Sequence, residues 1–163
     1  MRMKPKKRLS IVLAILFLLS ILTGCASYPR VDWVINVGGD VSSPFELTYK
    51  DLAKMPQTEL NDILMQKTTS EDTIDSWSGV SFIEITNKAG ASPDFVSILV
   101  TADDGYQAIL LQSELEDAII ALKKDGEWIA EKDITHGPIR LVCPLTPANK
   151  WVYAPIEIIF NNE

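Results

Sequence analysis

Short apolar segments rich in β-branched residues recur along the chain and restrict its fold more than any other feature. They cover residues 33–37, 95–101, 106–111, 139–143 and 156–160, and Gly, Pro or Asp residues separate them. Such segments are typical of strands, and Asp103-Asp104-Gly105 between two of them indicates a hairpin. Because long helices do not alternate with these strands, a doubly wound parallel sheet is not expected. The pattern predicts an α+β domain, mostly mixed β-sheet with short helices.

The helix signals between the strands are brief. Thr48 has the character of an N-cap, and Gly90 that of a helix C-cap. Two further segments, residues 81–84 and 113–116, have the spacing of a capping box and each predicts the start of a short helix. The polar residues 66–76 form the only long predicted loop, and no internal repeat is visible.

The N-terminus has the layout of a cleavable secretory signal. Residues 1–8 contain five Lys or Arg and no acid, and residues 9–22 are apolar apart from two serines. This apolar run of about 14 residues is shorter than the ~20 that a membrane-spanning helix needs, which disfavours a permanent transmembrane anchor. Leu22-Thr23-Gly24-Cys25 then resembles the lipobox of bacterial lipoproteins. The resemblance implies cleavage before Cys25 and acylation of its thiol.

Three regions follow: a signal peptide (1–24), a lipidated tether (25–30) and one folded domain (31–163). The expected location is the extracytoplasmic face of the cell membrane, held by the lipid anchor. The chain has 15 basic and 22 acidic residues, and the signal removes five of the basic ones, so the mature protein has ten against 22, a net charge near −12. Such a surface repels phosphate backbones, and no nucleic-acid partner is expected.

Two residues with potential metal chemistry have simpler interpretations. Cys143 is the only cysteine besides Cys25, and in its apolar segment it is interpreted as a small buried residue. His136 is the only histidine and precedes Gly137-Pro138, which indicates a turn. Because metal sites need several ligands at suitable spacing, no metal ligand is predicted here.

A family resemblance covers most of the mature chain. The segments that carry it resemble, in order and spacing, the sulfite-oxidase-type molybdopterin-binding domain, and it implies that fold. They are residues 33–39, Pro44, residues 47–52, Met55-Pro56, Trp77-Ser78-Gly79-Val80, Ile83, Ile85, Ala89-Gly90, Asp104-Gly105-Tyr106, Gly126-Glu127, residues 137–144 and Trp151-Val152.

The chain departs from this family pattern at two places. In the family a cysteine thiolate that ligates molybdenum lies between the Leu-Pro and Trp-x-Gly-Val elements, but residues 57–76 contain no cysteine. Many members read Trp-Val-Lys near the end, with a lysine that reaches the pterin phosphate, whereas this chain has Tyr153 there and Lys150 before the tryptophan. Arg140 is retained, and its guanidinium suits a phosphate or a carboxylate, or simply ties strand ends together.

These departures predict a non-catalytic module that binds a ligand or a protein partner, with no cofactor and no catalytic residue. Arg140, Tyr106 and Trp151 are the candidate residues of the former cofactor groove. The alternative is a molybdopterin-dependent oxidoreductase, or a subunit of one, outside the membrane, with Cys143 as an unusual ligand. The signal lacks an adjacent arginine pair, which is typical of export in the unfolded state and disfavours loading with a cofactor made in the cytoplasm.

Overall fold

The computed structural model describes residues 28–133 and 135–163. The predicted lipidation site, Cys25, lies outside these residues, as does the signal segment. Within the described residues, no helix is long and apolar enough to cross a membrane.

Among the described residues, ten strands form two sheets, with three short helices between them. The strands are β1 (Val34–Gly39), β2 (Phe45–Thr48), β3 (Thr58–Met65), β4 (Thr73–Ser81), β5 (Ser97–Ala102), β6 (Gln107–Leu111), β7 (Ile119–Lys124), β8 (Glu127–Trp128), β9 (Arg140–Val142) and β10 (Pro155–Asn161). The helices are α1 (Tyr49–Lys54), α2 (Phe82–Ala89) and α3 (Ile129–Lys132), and 3₁₀ turns cover Gln112–Glu114 and Ala148–Lys150.

The first sheet has the strand order β2-β1-β10-β5-β6, and only its β1–β10 pair is parallel. The second has the order β3-β4-β7-β8, and β9 also pairs with β7. The first sheet is therefore mixed and the second antiparallel. With the short helices, this confirms the predicted α+β class.

The buried apolar residues of both sheets belong to one continuous core. Phe160 of β10 packs against Phe82, with ring centroids 6.1 Å apart, and edge-on against Phe95 at 5.1 Å. The alternating inward residues of β1, Ile35 and Val37, join the same core, as expected for strands with one buried face. This core fixes the second sheet behind the first and so positions the ends of β7 and β9, where the candidate site lies.

Most predicted strands are confirmed to within two residues, and the start of α1 is confirmed in detail. The Thr48 hydroxyl accepts a hydrogen bond from the backbone N–H of Asp51, and the carboxylate of Asp51 accepts one from the backbone N–H of Thr48. Gly90 ends α2 in the left-handed conformation, as predicted.

Three local predictions are wrong. Residues 73–76 are not part of a loop but open β4, because residues 73–75 pair with β3 and the buried Asp75 is bound by Thr73 and Lys124. Ser81 makes no side-chain cap at α2. The expected helix after Ser113 is only the 3₁₀ turn Gln112–Glu114, in which the Glu114 carboxylate accepts a hydrogen bond from the backbone N–H of Leu111.

Candidate functional site

Arg140 is a buried cation at the start of β9. Its side chain is held there because β9 pairs with β7, opposite Ala121, and Arg140 also forms an isolated bridge with Tyr153. Only 3% of the residue is exposed. Nη1 donates a hydrogen bond of 2.8 Å to the Tyr153 hydroxyl, and the guanidinium carbon lies 3.7 Å from the centroid of the Tyr153 ring.

Two tryptophans complete an aromatic enclosure around this guanidinium. Its carbon lies 5.4 Å from the centroid of Trp77 and 5.5 Å from that of Trp151, and the two indoles meet edge-on at 6.1 Å. Cation–π attraction offsets part of the cost of removing the guanidinium from water. Burial nevertheless lowers the pKa of Arg140 below its usual value, although Tyr153, Asp75 and Asp133 act in the opposite direction.

The ring of Tyr153 contacts two groups. The guanidinium carbon of Arg140 lies 3.7 Å from its centroid, and the ring of His136 lies 4.7 Å away, inclined by 32°. His136 is in a turn, as predicted, and its Nδ1 lies 2.7 Å from the carboxylate of Asp133. The carboxylate of Asp133 is therefore already engaged by the histidine.

A second acid, Asp75, is buried and has partners of its own. Lys124 Nζ lies 3.0 Å from its carboxylate, and the Thr73 hydroxyl donates a hydrogen bond of 2.7 Å to it. Burial raises the pKa of Asp75, but the hydrogen bonds from Thr73 and Lys124 together outweigh that effect, so the pKa is lowered. Lys124 Nζ also lies 5.3 Å from the centroid of the Trp77 ring.

Two adjacent cavities share Tyr153 as a wall. The first, of about 280 Å³, is the Arg140 cavity and is lined by Trp77, Lys124, Asp125, Glu127, Ile129, Lys132, Asp133, Arg140 and Tyr153. The second, of about 260 Å³, is the Tyr106 cavity and is lined by Ala102, Asp104, Tyr106, Ala148, Asn149, Trp151 and Tyr153. The structure thus brings Tyr106 and Trp151 to one cavity and places Arg140 in the neighbouring one.

The other two candidate residues have hydrogen bonds that hold the walls in place. The Tyr106 hydroxyl donates to the backbone carbonyl of Asn149. The Trp151 indole N–H donates to the carbonyls of Cys143, at 2.7 Å, and Thr146, at 3.1 Å. Trp151 is 2% exposed, so it forms a wall and offers no free donor.

Comparison with known families matches the model of the oxidoreductase molybdopterin-binding domain to residues 25–160. The chain belongs to this family. Among solved structures, it is similar to the sulfane dehydrogenase SoxCD from Paracoccus pantotrophus, with a TM-score of 0.71 and 18% sequence identity. The match covers 86% of this chain and 41% of that chain, and at this identity it shows the shared fold. No curated protein sequence matches significantly.

The family name implies a bound molybdopterin. Whether this chain can hold a metal through a thiolate depends on where its cysteine lies. Cys143 is the only cysteine among residues 28–133 and 135–163, and it is fully buried. Burial raises the pKa of its thiol to about 12, with a smaller contribution from Glu114. Because the residue is fully buried and lines neither of the two cavities, its thiol is not placed to ligate a metal held there. In the described part of the chain, no three acids, histidines or cysteines cluster as a metal site.

Lys150 does not take the place of the lysine that many family members have two residues later. Its Nζ forms an ion pair with Glu114 and lies 2.5 Å and 2.7 Å from the two carboxylate oxygens. The hydrogen bond from Lys150 lowers the pKa of Glu114. The ion pair ties the 3₁₀ turn before Trp151 to the connection that leads into β7.

Two residues of the Arg140 cavity were not among the sequence candidates. Trp77 was visible only as part of the Trp-x-Gly-Val element, and Tyr153 only as a departure from Trp-Val-Lys. The substitution of an aromatic residue for that lysine was a usable signal, because Tyr153 now occupies one face of the Arg140 guanidinium.

Proposed function

We propose that this protein is a lipid-anchored, non-catalytic member of its family that binds a small ligand or a protein partner outside the membrane. One observation carries the proposal: the only cysteine left after the anchor, Cys143, is fully buried and lines neither cavity. Residues 57–76, where the family has its ligand, contain none. Without a thiolate, the family's means of holding molybdenum is missing.

The N-terminus supports the proposed location. A basic start, a short apolar run and the Leu-Thr-Gly-Cys sequence ending at Cys25 are the features of a lipoprotein signal. Two or three acyl chains on one cysteine hold a protein firmly, since each buried CH₂ contributes about 0.8 kcal/mol. If the chain is exported in the unfolded state, its domain folds outside the cytoplasm, where the cofactor is not made.

The Arg140 cavity supports a binding role. It combines a buried cation, aromatic walls and a volume of about 280 Å³, close to that of a small ligand site. Tyr106 and Trp151 line the adjacent Tyr106 cavity, which extends the same surface past Tyr153. A partner protein that inserts a side chain is the second kind of occupant, and a pull-down from cross-linked membranes identifies it.

The deciding measurement is the molybdenum and pterin content of the protein purified from its native membrane. We expect a molar ratio near zero with the protein folded. A ratio near one metal per chain contradicts the proposal. A Cys143→Ala variant prepared alongside reports whether the thiol contributes to any metal that is found.

The family match favours a second candidate, a molybdopterin-dependent oxidoreductase or a subunit of one. In that case the cofactor is held through Arg140 and other polar groups, or Cys143 moves to supply a thiolate. Cofactor content and reductase activity that both fall in Cys143→Ala favour the thiolate version. If both are present and unchanged in Cys143→Ala, the cofactor is held without a protein thiolate.

A further inference from the structure

The outer strand of the first sheet, β6, offers backbone groups that no other strand pairs with. Within the described residues its only neighbour in the sheet is β5. The N–H of Gln112 donates to the carbonyl of Val96, so every second residue back along β6 turns its backbone groups toward β5. The N–H and C=O groups of residues 107 and 109 and the carbonyl of residue 111 therefore point away from the sheet. In the part of the chain that the structure describes, none of them has a hydrogen-bond partner there.

The other strands at the ends of the two sheets carry features that discourage pairing with a further strand. β3 is interrupted by a register shift between Leu60 and Ile63. β2 carries Glu46, and β8 has only two residues, one of them Glu127. β6 pairs with β5 in unbroken register and has no charge, proline or bulge. An edge without such features is a ready template for a strand from another chain.

The side chains of β6 on the outer face of the sheet are apolar and open. Ile109 is 61% exposed and Leu111 is 49% exposed. Ile109 lies opposite Leu99 of β5, which lies opposite Ile159 of β10, and both of these are half-buried. An apolar row thus crosses three strands and ends at the β6 edge. An added strand with an apolar residue beside Ile109 continues this row, and cross-strand pairs of this kind stabilise a sheet.

The charges around β6 select the kind of chain that can pair there. Residues 105–113 carry no charge. Exposed acids without a cationic partner among the ion pairs of the described residues lie at both ends, Asp103 and Asp104 before β6 and Glu116 and Asp117 after it. A second copy paired antiparallel along β6 brings the first two acids of one chain toward the last two of the other, and like charges repel. A segment with basic residues at both ends meets these acids favourably.

We propose that the β6 edge binds an extended segment of a partner protein, which adds to the five-stranded first sheet as an antiparallel sixth strand. Alternate residues of this segment are apolar and continue the row of Ile109, and Lys or Arg residues lie at both of its ends. The site is independent of any cofactor, because Gln107, Ile109 and Leu111 line neither the Arg140 cavity nor the Tyr106 cavity.

The test titrates the lipidated, full-length protein in non-ionic detergent with a fluorescent peptide that has two lysines at each end and alternating valine and threonine between them. We expect saturable binding that is at least about tenfold tighter than that of the same peptide with glutamates in place of the lysines, because the acids beside β6 repel the second peptide. Equal affinity for the two peptides, or no saturable binding below about 1 mM, overturns the proposal.

Variants of β6 locate the binding. Ile109→Pro removes an N–H that points away from β5, so the pairing with β5 is kept while the added strand loses a donor. Ile109→Lys places a charge on the edge that repels the lysine peptide. We expect each to weaken binding at least about tenfold, whereas Ile74→Lys, at an isoleucine of β4 that is 66% exposed, changes it less than about twofold. Unchanged binding in Ile109→Lys contradicts the proposal, whether or not Ile109→Pro folds.

Hydrogen exchange identifies the occupant of the edge. We expect the amide protons of Gln107 and Ile109 to exchange rapidly in the free protein and to be protected when the lysine peptide is added. Peptide binding that leaves both amides unprotected shows a different mode of binding and refutes strand addition. Protection without peptide that grows with protein concentration shows that a second copy occupies the edge, which also refutes the proposal.

Discussion

The thiol of Cys143 lies directly after β9, enclosed by the 143–151 turn. The backbone carbonyl of Cys143 accepts hydrogen bonds from the Trp151 indole and the Thr146 hydroxyl, which fix the backbone around it. No part of the residue is exposed, and burial raises the pKa of the thiol to about 12. A thiol in this state is protonated and shielded at neutral pH.

We therefore predict that Cys143 does not react with a disulfide reagent in the folded protein. The measurement uses a chain carrying Cys25→Ser, so that Cys143 is the single thiol, at mildly alkaline pH. We expect one thiol per chain to react after unfolding in guanidinium and none before it. Rapid reaction of the folded protein refutes the burial argument and reopens the possibility that Cys143 ligates a metal.

Tyr49 is buried at the start of α1, and its hydroxyl has no hydrogen-bond partner among the described residues. Burial raises the pKa of Tyr49 from 10.0 to about 12, and Glu131 adds to this. The folded state thus keeps its proton at a pH at which the unfolded chain loses it. The resulting contribution to stability is complete below pH 10 and is lost as the pH rises toward 12.

Tyr49→Phe removes both the unpartnered hydroxyl and the titrating group. At neutral pH we expect an unchanged free energy of unfolding or a gain of up to about 1 kcal/mol, because a buried donor without a partner disappears. Above pH 10 the stability of the variant falls less steeply than that of the wild type. Urea unfolding across this pH range measures both. Tyr106→Phe is the control, expected to lower stability slightly because its hydroxyl donates to Asn149; a loss in Tyr49→Phe as large as in the control contradicts the prediction.

At the scale of elements, the antiparallel pairing of β4 with β7 depends on a glycine, Gly79. Gly79 lies opposite Ala121 in this pair. A Cβ at Gly79 would lie 2.0 Å from the backbone oxygen of Ile120 and 2.6 Å from Cα of Ala121. These are backbone atoms of a central strand, and they cannot rotate away as the end of a side chain can. This close approach explains the glycine in the Trp-x-Gly-Val element.

We predict that Gly79→Ala lowers the free energy of unfolding by about 3 kcal/mol, since the two strands must separate locally. Gly38→Ala is the matched control in β1, because its Cβ would meet only Cδ1 of Ile159, at 3.9 Å. There we expect a change of less than about 1 kcal/mol, in the stabilising direction, as alanine replaces glycine in a strand. Urea unfolding of both variants gives the comparison, and equal losses contradict the role assigned to Gly79.

For the whole molecule, the testable feature is how the chain is attached to its membrane. We predict that Cys25→Ser abolishes incorporation of labelled palmitate and leaves the N-terminal segment uncleaved, because the serine hydroxyl does not replace the thiol that is acylated. Cys143→Ser is the control and retains the label. Mass spectrometry of the N-terminus measures processing independently of folding. Label that persists in Cys25→Ser and disappears in Cys143→Ser contradicts the assigned anchor.

Much of this protein was predictable from local patterns. Strand positions, the Thr48 cap and the end of α2 at Gly90 depend on neighbours within a few residues, and the structure confirms them. The α+β class was predictable from the pattern of apolar segments, and the family from the order of its motifs. The start of β4 was missed because its polar residues are satisfied by a distant strand, as when Asp75 pairs with Lys124.

The sequence by itself determined the positions of most apolar strands, the Thr48 and Gly90 helix ends, and that residues 57–76 offer no thiolate. Only the tertiary structure decided what surrounds Arg140. The pairing of β7 with β9 and β4 brings Trp77, Arg140 and Tyr153 together from distant positions. The pairing of β4 with β7 also brings Lys124 to Asp75, and in the described residues no carboxylate forms an ion pair with the guanidinium. Such a result depends on contacts between strands, and no local pattern of residues records it.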